Sequence, residues 1–236
     1  VSLFKDVAHE FVQMATSAEQ VRHLIDRAMR IARDRRAVTC VIVPNDVQEL
    51  PAVPVPPRKH GTVHSGIGST ASATVPNAAA LGHAADIINA GSKVAILAGA
   101  GALHATDELI HTAERLGAGI AKALLGKAAV PDDLPFVTGA IGVLGTRPSS
   151  RMMEDCDTLL MVGSSFPYAE FLPPEGQARC VQIDTDPRAI GLRYPTELGL
   201  VGDSRATLAA LLPLLDHKGH GAWRQGIQAD VARWWR

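Results

Sequence analysis

Hydrophobic positions follow two different periods along the chain, and the switches between them outline its architecture. Over residues 17–36, Val21, Leu24, Ile25, Ala28, Met29 and Ala32 recur at helical spacing, opposite a face carrying Arg22, Arg27, Arg30 and Arg33. Ser17 with Gln20 three positions later predicts a capping box at the start of this helix. The arginines read as a solvated face, with a phosphate-facing role as the alternative. The run Ala37–Val43 is apolar at successive positions and β-branched until Pro44 ends it, as in a strand covered on both sides within a parallel sheet. Residues 1–48 therefore read as the last helix–strand unit of an α/β domain.

Residues 49–75 break the pattern. Pro51, Pro54, Pro56 and Pro57 lead into a Gly/Ser/Thr/Ala stretch from Gly61 to Thr74, a composition that buries no core and predicts a linker. From Pro76 to about Leu215, apolar runs alternate with helical stripes. Pro76 suits a first helical turn, Ala80–Ala90 continue it, and Gly91 is placed to end it in the left-handed conformation. Lys93–Ala98, Ile120–Leu125, Thr158–Val162, Arg179–Ile183 and Leu198–Val201 predict strands; Leu103–Leu116, ended by Gly117, and Ser204–Leu215 predict helices. This alternation implies an α/β fold with a doubly wound parallel sheet over residues 76–216. Beyond His217, Trp223–Trp235 predicts one more helix, read as the opening of a further domain at 217–236.

Charge and cysteine usage narrow the function classes. Lys+Arg 23 against Asp+Glu 24 removes the basic footprint of a nucleic-acid binder. No apolar run approaches the roughly 20 residues of a membrane span, so no transmembrane segment is expected. The start Val1-Ser2-Leu3 has neither an initiator Met nor a signal-peptide layout, so more sequence is expected upstream. Cys40, Cys156 and Cys180 are odd in number and far apart, which opposes a disulfide framework or zinc site and fits a cytoplasmic protein. His60 and His64 have no Cys or carboxylate neighbours, and a metal role is not expected for them. Aromatic residues are unevenly placed, with all three Trp in the last fourteen positions.

Five short segments sit where an open α/β sheet binds ligands, outside the carboxyl ends of its strands. They are Gly99-Ala100-Gly101-Ala102, Gly142-Val143-Leu144-Gly145-Thr146, Gly163-Ser164-Ser165-Phe166-Pro167-Tyr168, Gln182-Ile183-Asp184-Thr185-Asp186-Pro187 and Val201-Gly202-Asp203-Ser204. Each has a plain alternative: a tight turn for the glycines, a turn for Asp186-Pro187, a helix cap for Asp203-Ser204. Together they suit one extended nucleotide, with backbone and hydroxyl groups around a pyrophosphate and carboxylates on a ribose. The nicotinamide fingerprint is incomplete, because His104 stands at its third glycine and no acidic residue ends the second strand.

In this order, and with Lys122-Ala123-Leu124-Leu125-Gly126-Lys127, the segments resemble the central domain of thiamine-diphosphate-dependent enzymes, most of all the pyruvate oxidase and pyruvate:quinone dehydrogenase branch. Leu3-Phe4-Lys5-Asp6 through Val47 resembles the end of that family's pyrimidine-binding domain. The resemblance implies FAD along Gly99, Ala100, Gly101, Ala102, Lys122, Gly145, Thr146, Gly163, Ser164, Phe166, Pro167, Asp184, Asp186, Gly202 and Asp203, with Phe4 near the active site. It also implies a 2-oxo acid substrate, a homo-oligomer, and thiamine diphosphate with Mg²⁺ in the intact enzyme. The family's catalytic glutamate would precede Val1, and its Gly-Asp-Gly metal motif is absent, Gly202-Asp203 being followed by Ser204. No catalytic residue is therefore assigned, and the chain by itself is expected to be inactive. Acetolactate synthase, glyoxylate carboligase and acyl-CoA lyases with an ADP-binding central domain share the pattern. Sirtuin-type deacetylases share only the Gly-Ala-Gly turn. A non-catalytic nucleotide-binding or association module is the reading from a different class.

Overall fold

A computed structural model describes residues 1–53, 72–219 and 221–236, in two compact units, Val1–Ser72 and Ala73–Arg236. His60, His64 and most of the expected linker lie outside the described residues.

In the first unit, β1 (Val12–Met14) pairs in parallel with β2 (Cys40–Ile42) across α1 (Ala18–Arg35), followed by α2 (Asn45–Gln48). Phe11, Ala15, Leu24, Ala28 and Val47 form its small core. The expected strand is shorter than Ala37–Val43 and only half-buried, because β1 is its single pairing partner among the described residues. The capping box is displaced: Gln20 accepts hydrogen bonds from the N–H and hydroxyl of Thr16, not from Ser17.

The second unit holds α3 (Ala78–Ala90), β3 (Val94–Ala98), α4 (Thr106–Leu116), β4 (Gly119–Lys122), β5 (Val137–Ala140), α5 (Arg147–Asp155), β6 (Thr158–Val162), β7 (Arg179–Asp184), β8 (Leu198–Val201), α6 (Ser204–Leu211) and α7 (Ala222–Trp234). The six strands are parallel in the order β5-β4-β3-β6-β7-β8. Successive side chains of a strand point to opposite faces. Val94, Ile96 and Ala98 of β3, with Leu160 and Val162 of β6, therefore join α3, α4 and α6 in one core. Ala95, Leu97, Leu159 and Met161 join Met152 and Met153 of α5 and Ile227 and Val231 of α7 in the other. Continuous apolar runs in the central strands are the consequence of this two-sided burial.

Several local expectations shift. Pro76 lies ahead of α3 instead of in its first turn, and Asn77 caps the helix, its side chain accepting from Ala80 N–H. Gly91 is extended (φ −75°), and its lack of a side chain serves packing, since a Cβ there would lie 2.0 Å from Thr158 Oγ1. The second strand stops at Lys122, and Leu124–Gly126 curl into a 3₁₀ turn with both leucines exposed. β5 was not expected, its Val-Thr-Gly-Ala sequence being too short and mixed to show a period. The last helix of the sheet region ends at Leu211, and Pro213 stands in the 3₁₀ turn that follows.

In segment 217–236, α7 packs within the second unit. Arg224 is 1% exposed, its guanidinium 3.8 Å from the Phe136 ring centroid and bonded to the carbonyls of Ala113 and Ala118 at the end of α4. Burial pushes its pKa down to about 10. Trp223 donates its indole N–H to Val94 O at 2.9 Å, whereas Trp234 and Trp235 are exposed. Among the described residues, no helix is long and apolar enough to cross a membrane.

Candidate functional site

All five segments end at one rim, because every strand of the sheet points the same way. Residues just past the strands extend the ladder: Gly99 N–H donates to Val162 O, Ala123 to Ala98 O, Ile141 to Lys122 O, Gly163 to Ile183 O and Gly202 to Asp184 O, at 2.8–3.0 Å. From β3 the chain runs outward through β4 to β5, then returns to place β6 on the other side of β3. This reversal is the topological switch point, where open α/β sheets form a ligand crevice. The loops flanking it are Gly99–Ala102 and Gly163–Tyr168.

These two loops interlock. Gly101 N–H donates to Gly163 O at 2.9 Å. A Cβ on Gly163, which has φ +58°, would lie 2.5 Å from the Gly101 backbone, and one on Gly101 would lie 2.7 Å from Gly163 Cα. The glycines let one backbone touch another; Ala100 and Gly101 still present their outer sides to solvent. Phe166 is buried across the junction, a Cβ on Gly142 falling 3.4 Å from its ring. Ser164 is buried, and its hydroxyl accepts from Phe166 N–H at 3.2 Å. Pro167 is exposed beside it.

The polar side chains are largely occupied by the fold. Thr146 caps α5 and its hydroxyl donates to Thr138 O at 2.5 Å. Asp184 accepts from Asp186 N–H through one carboxylate oxygen, at 2.9 Å. Asp186 pairs with Arg188 at 2.9 Å, and hydrogen bonds from that residue hold its carboxyl below the usual range. Asp203 caps α6 through Ala206 N–H, while Gly202 and the Asp203 N–H secure residues 74–76. Lys122 is buried, its ammonium 3.0 Å from Val130 O and 2.5 Å from Asp132 Oδ1. Sequence reasoning placed Lys122 on the cofactor; the structure turns it into the β4–β5 connection. Phe4 lies in the first unit, in an exposed 3₁₀ turn.

Two features escaped the sequence. Gln182, buried on β7, bonds Ser164 O, Ala189 O, Gly191 N–H and the Thr196 hydroxyl, and so ties the β6 loop to the β7 loop. Its place inside a recurring strand-end segment was the available signal. The rim also exposes Leu124 at 72%, Leu125 at 78%, Val143 at 78% and Leu144 at 89%, with Tyr168 half-exposed beside Phe166. Clustered exposed apolar side chains mark a surface that something covers. By contrast, burial raises Cys156 and Cys180 to about 12, which removes both thiols as nucleophiles.

Burial raises the Asp132 carboxyl, but the hydrogen bonds and charges of Lys122 and Lys127 outweigh it, leaving the group below its usual 3.8. A carboxyl lowered on folding stabilises the fold at neutral pH, and that contribution disappears as pH falls through its folded value. Urea midpoints of Lys122→Met are therefore expected to lose part of the acid dependence below pH 3.8. An unchanged acid limb would show that the pair contributes nothing.

The sequence matches the family described as thiamine pyrophosphate enzyme, central domain, over residues 81–211. It is similar to the protein YdaP of Bacillus subtilis, 33% identical over 99% of this chain and 39% of YdaP. Pyruvate oxidase of Lactiplantibacillus plantarum is 27% identical over 98% of this chain and 38% of its own length. An acetolactate synthase of Mycobacterium avium is also 27% identical, over 90% of this chain and 34% of its own, so the likeness is not confined to the oxidase branch. Among solved structures, benzoylformate decarboxylase of Polynucleobacter necessarius shares the fold, with TM-score 0.69 and 21% identity over 88% of this chain and 39% of that one. The chain thus spans about two fifths of the length of these relatives. It belongs to the thiamine pyrophosphate enzyme family and carries that family's central domain over residues 81–211.

Proposed function

We propose that this chain is the central part of a thiamine-diphosphate-dependent enzyme acting on a 2-oxo acid such as pyruvate, and that its carboxyl rim takes the nucleotide of FAD. The observation that carries this reading is the coincidence, at one rim, of the switch point, two backbone-exposing glycine loops and a band of uncovered leucines. A long cofactor with a charged middle and flat apolar ends fits that surface. The outer edge of Ala100-Gly101 lets a pyrophosphate approach, the second oxygen of Asp184 is placed for a ribose hydroxyl, and Leu124, Leu125, Val143 and Leu144 suit a ring system. Thr146, Lys122 and Asp186 are turned to internal partners and would contribute through the backbone they shape, not through side-chain contacts.

Bound thiamine diphosphate supplies carbanion stabilisation and FAD a two-electron acceptor; the protein positions both. Among the described residues no cluster suits a metal ion, so none of them is assigned to Mg²⁺ or to the diphosphate of thiamine. Internal satisfaction of the rim's polar side chains favours a second reading, in which protein surface rather than flavin covers the leucines.

Titrating the chain with FAD and with ADP separates these readings. Saturable quenching of flavin fluorescence, weakened by Leu144→Asp, is expected. Binding of ADP without FAD that persists in Arg147→Ala, and so does not come from the α5–α7 cleft, would overturn the flavin assignment in favour of an ADP-type central domain. Absence of FAD binding, with ADP either not binding or binding only through Arg147, would overturn it in favour of a protein-covered rim.

A further inference from the structure

A second polar cleft lies between α5 and α7, lined by Arg147, Pro148, Arg151, Asp230, Arg233 and Trp234, with a volume of about 440 Å³. That volume falls within the range of small-molecule sites and exceeds what a single ion needs. Its charges do not balance. Asp230 is its one carboxylate and is shared, 3.2 Å from Arg151 and 2.9 Å from Arg233. Arg147 is exposed, and among the described residues no carboxylate pairs with it. The lining therefore carries two net positive charges, in a chain whose overall charge is −1.

Guanidinium groups are planar and bind phosphate oxygens in pairs, and three of them drawn from two helices suit a chain of phosphates better than a lone carboxylate. Trp234, with 47% of its surface exposed, supplies a flat apolar wall beside them on which a base can stack. We propose that the α5–α7 cleft binds a nucleoside di- or triphosphate, its phosphates on Arg147, Arg151 and Arg233 and its base against Trp234. None of these residues belongs to the glycine rim, and the proposal does not rest on FAD binding there.

Calorimetric titration of the 236-residue chain with ADP, pyrophosphate and adenosine tests it. ADP is expected to bind saturably and more tightly than pyrophosphate, with adenosine not binding. Arg147→Ala, which removes an exposed side chain and should leave the thermal midpoint unchanged, is expected to weaken ADP about tenfold, with Arg147→Lys recovering part of the loss. Trp234→Ala is expected to bring ADP down to the affinity of pyrophosphate. Absence of saturable ADP binding overturns the proposal. So does ADP binding that FAD displaces and Arg147→Ala leaves intact, since that ligand would lie at the rim. Equal affinity for ADP and pyrophosphate in the unsubstituted chain overturns the role given to Trp234 and with it the nucleoside.

Discussion

Replacing Arg224 with alanine is expected to destabilise the second unit by about 4 kcal/mol. The change strips the carbonyls of Ala113 and Ala118 of a donor inside the protein and removes the cation from the Phe136 ring. An unsatisfied buried acceptor costs roughly 1–3 kcal/mol, and a desolvated cation–π contact contributes about 2 kcal/mol. In a unit of this size such a loss lowers the melting temperature by roughly 8–16 °C. Arg233→Ala, on the same helix but 70% exposed, is the control and should stay within about 0.5 kcal/mol. Thermal melts of both variants decide whether α7 is integral to this fold. If Arg224→Ala costs no more than Arg233→Ala, α7 is only appended to the sheet.

Gly163→Ala is expected to be the more damaging still. The residue combines a left-handed backbone with a Cβ that would sit 2.5 Å from the Gly101 backbone, so the β3 and β6 loops must separate to admit a methyl group. Left-handed backbone costs a non-glycine residue roughly 1–2 kcal/mol, and separation of the loops adds the loss of the Gly101–Gly163 hydrogen bond and of the packing beneath it. Gly176→Ala isolates the first contribution, because Gly176 has φ +83° with nothing within 4 Å. We expect Gly176→Ala to fold with a loss of roughly 1–2 kcal/mol. Gly163→Ala should lose at least about 4 kcal/mol or fail to fold. Equal urea midpoints for the two variants would show that the interlock contributes nothing beyond backbone strain.

Gly163→Ala bears on how the switch point is built. Glycines after a first strand invite the reading that a ligand must come close to them. Here the closest neighbour of Gly101 is the Gly163 backbone, and the crevice is floored by protein before anything binds. The rim is accordingly a preformed surface, which is what a rigid cofactor platform requires.

The order of strands and helices was legible because it follows from local rules. Val94–Ala98 and Leu159–Val162 are apolar at every position since helices cover both faces, and Asp203 and Gly117 mark helix ends, the one through a side chain that accepts a backbone N–H, the other through a left-handed backbone. Strand direction then placed five separated segments at one rim, as their positions after successive strands implied. What the chain could not show by itself is where a side chain goes once its element is in place. Lys122 is placed on the cofactor by resemblance alone, yet its ammonium is buried against Val130 and Asp132. Arg224 carries no burial signal in its own helix, yet it lies inside the unit against Phe136. β5 carries no period of its own and exists because β4 offers it an edge. Partners in these cases lie up to 111 residues away in the chain. Secondary structure answers to spacing over a few neighbouring residues; partnership and burial answer to the assembled sheet, and only the tertiary structure decides them.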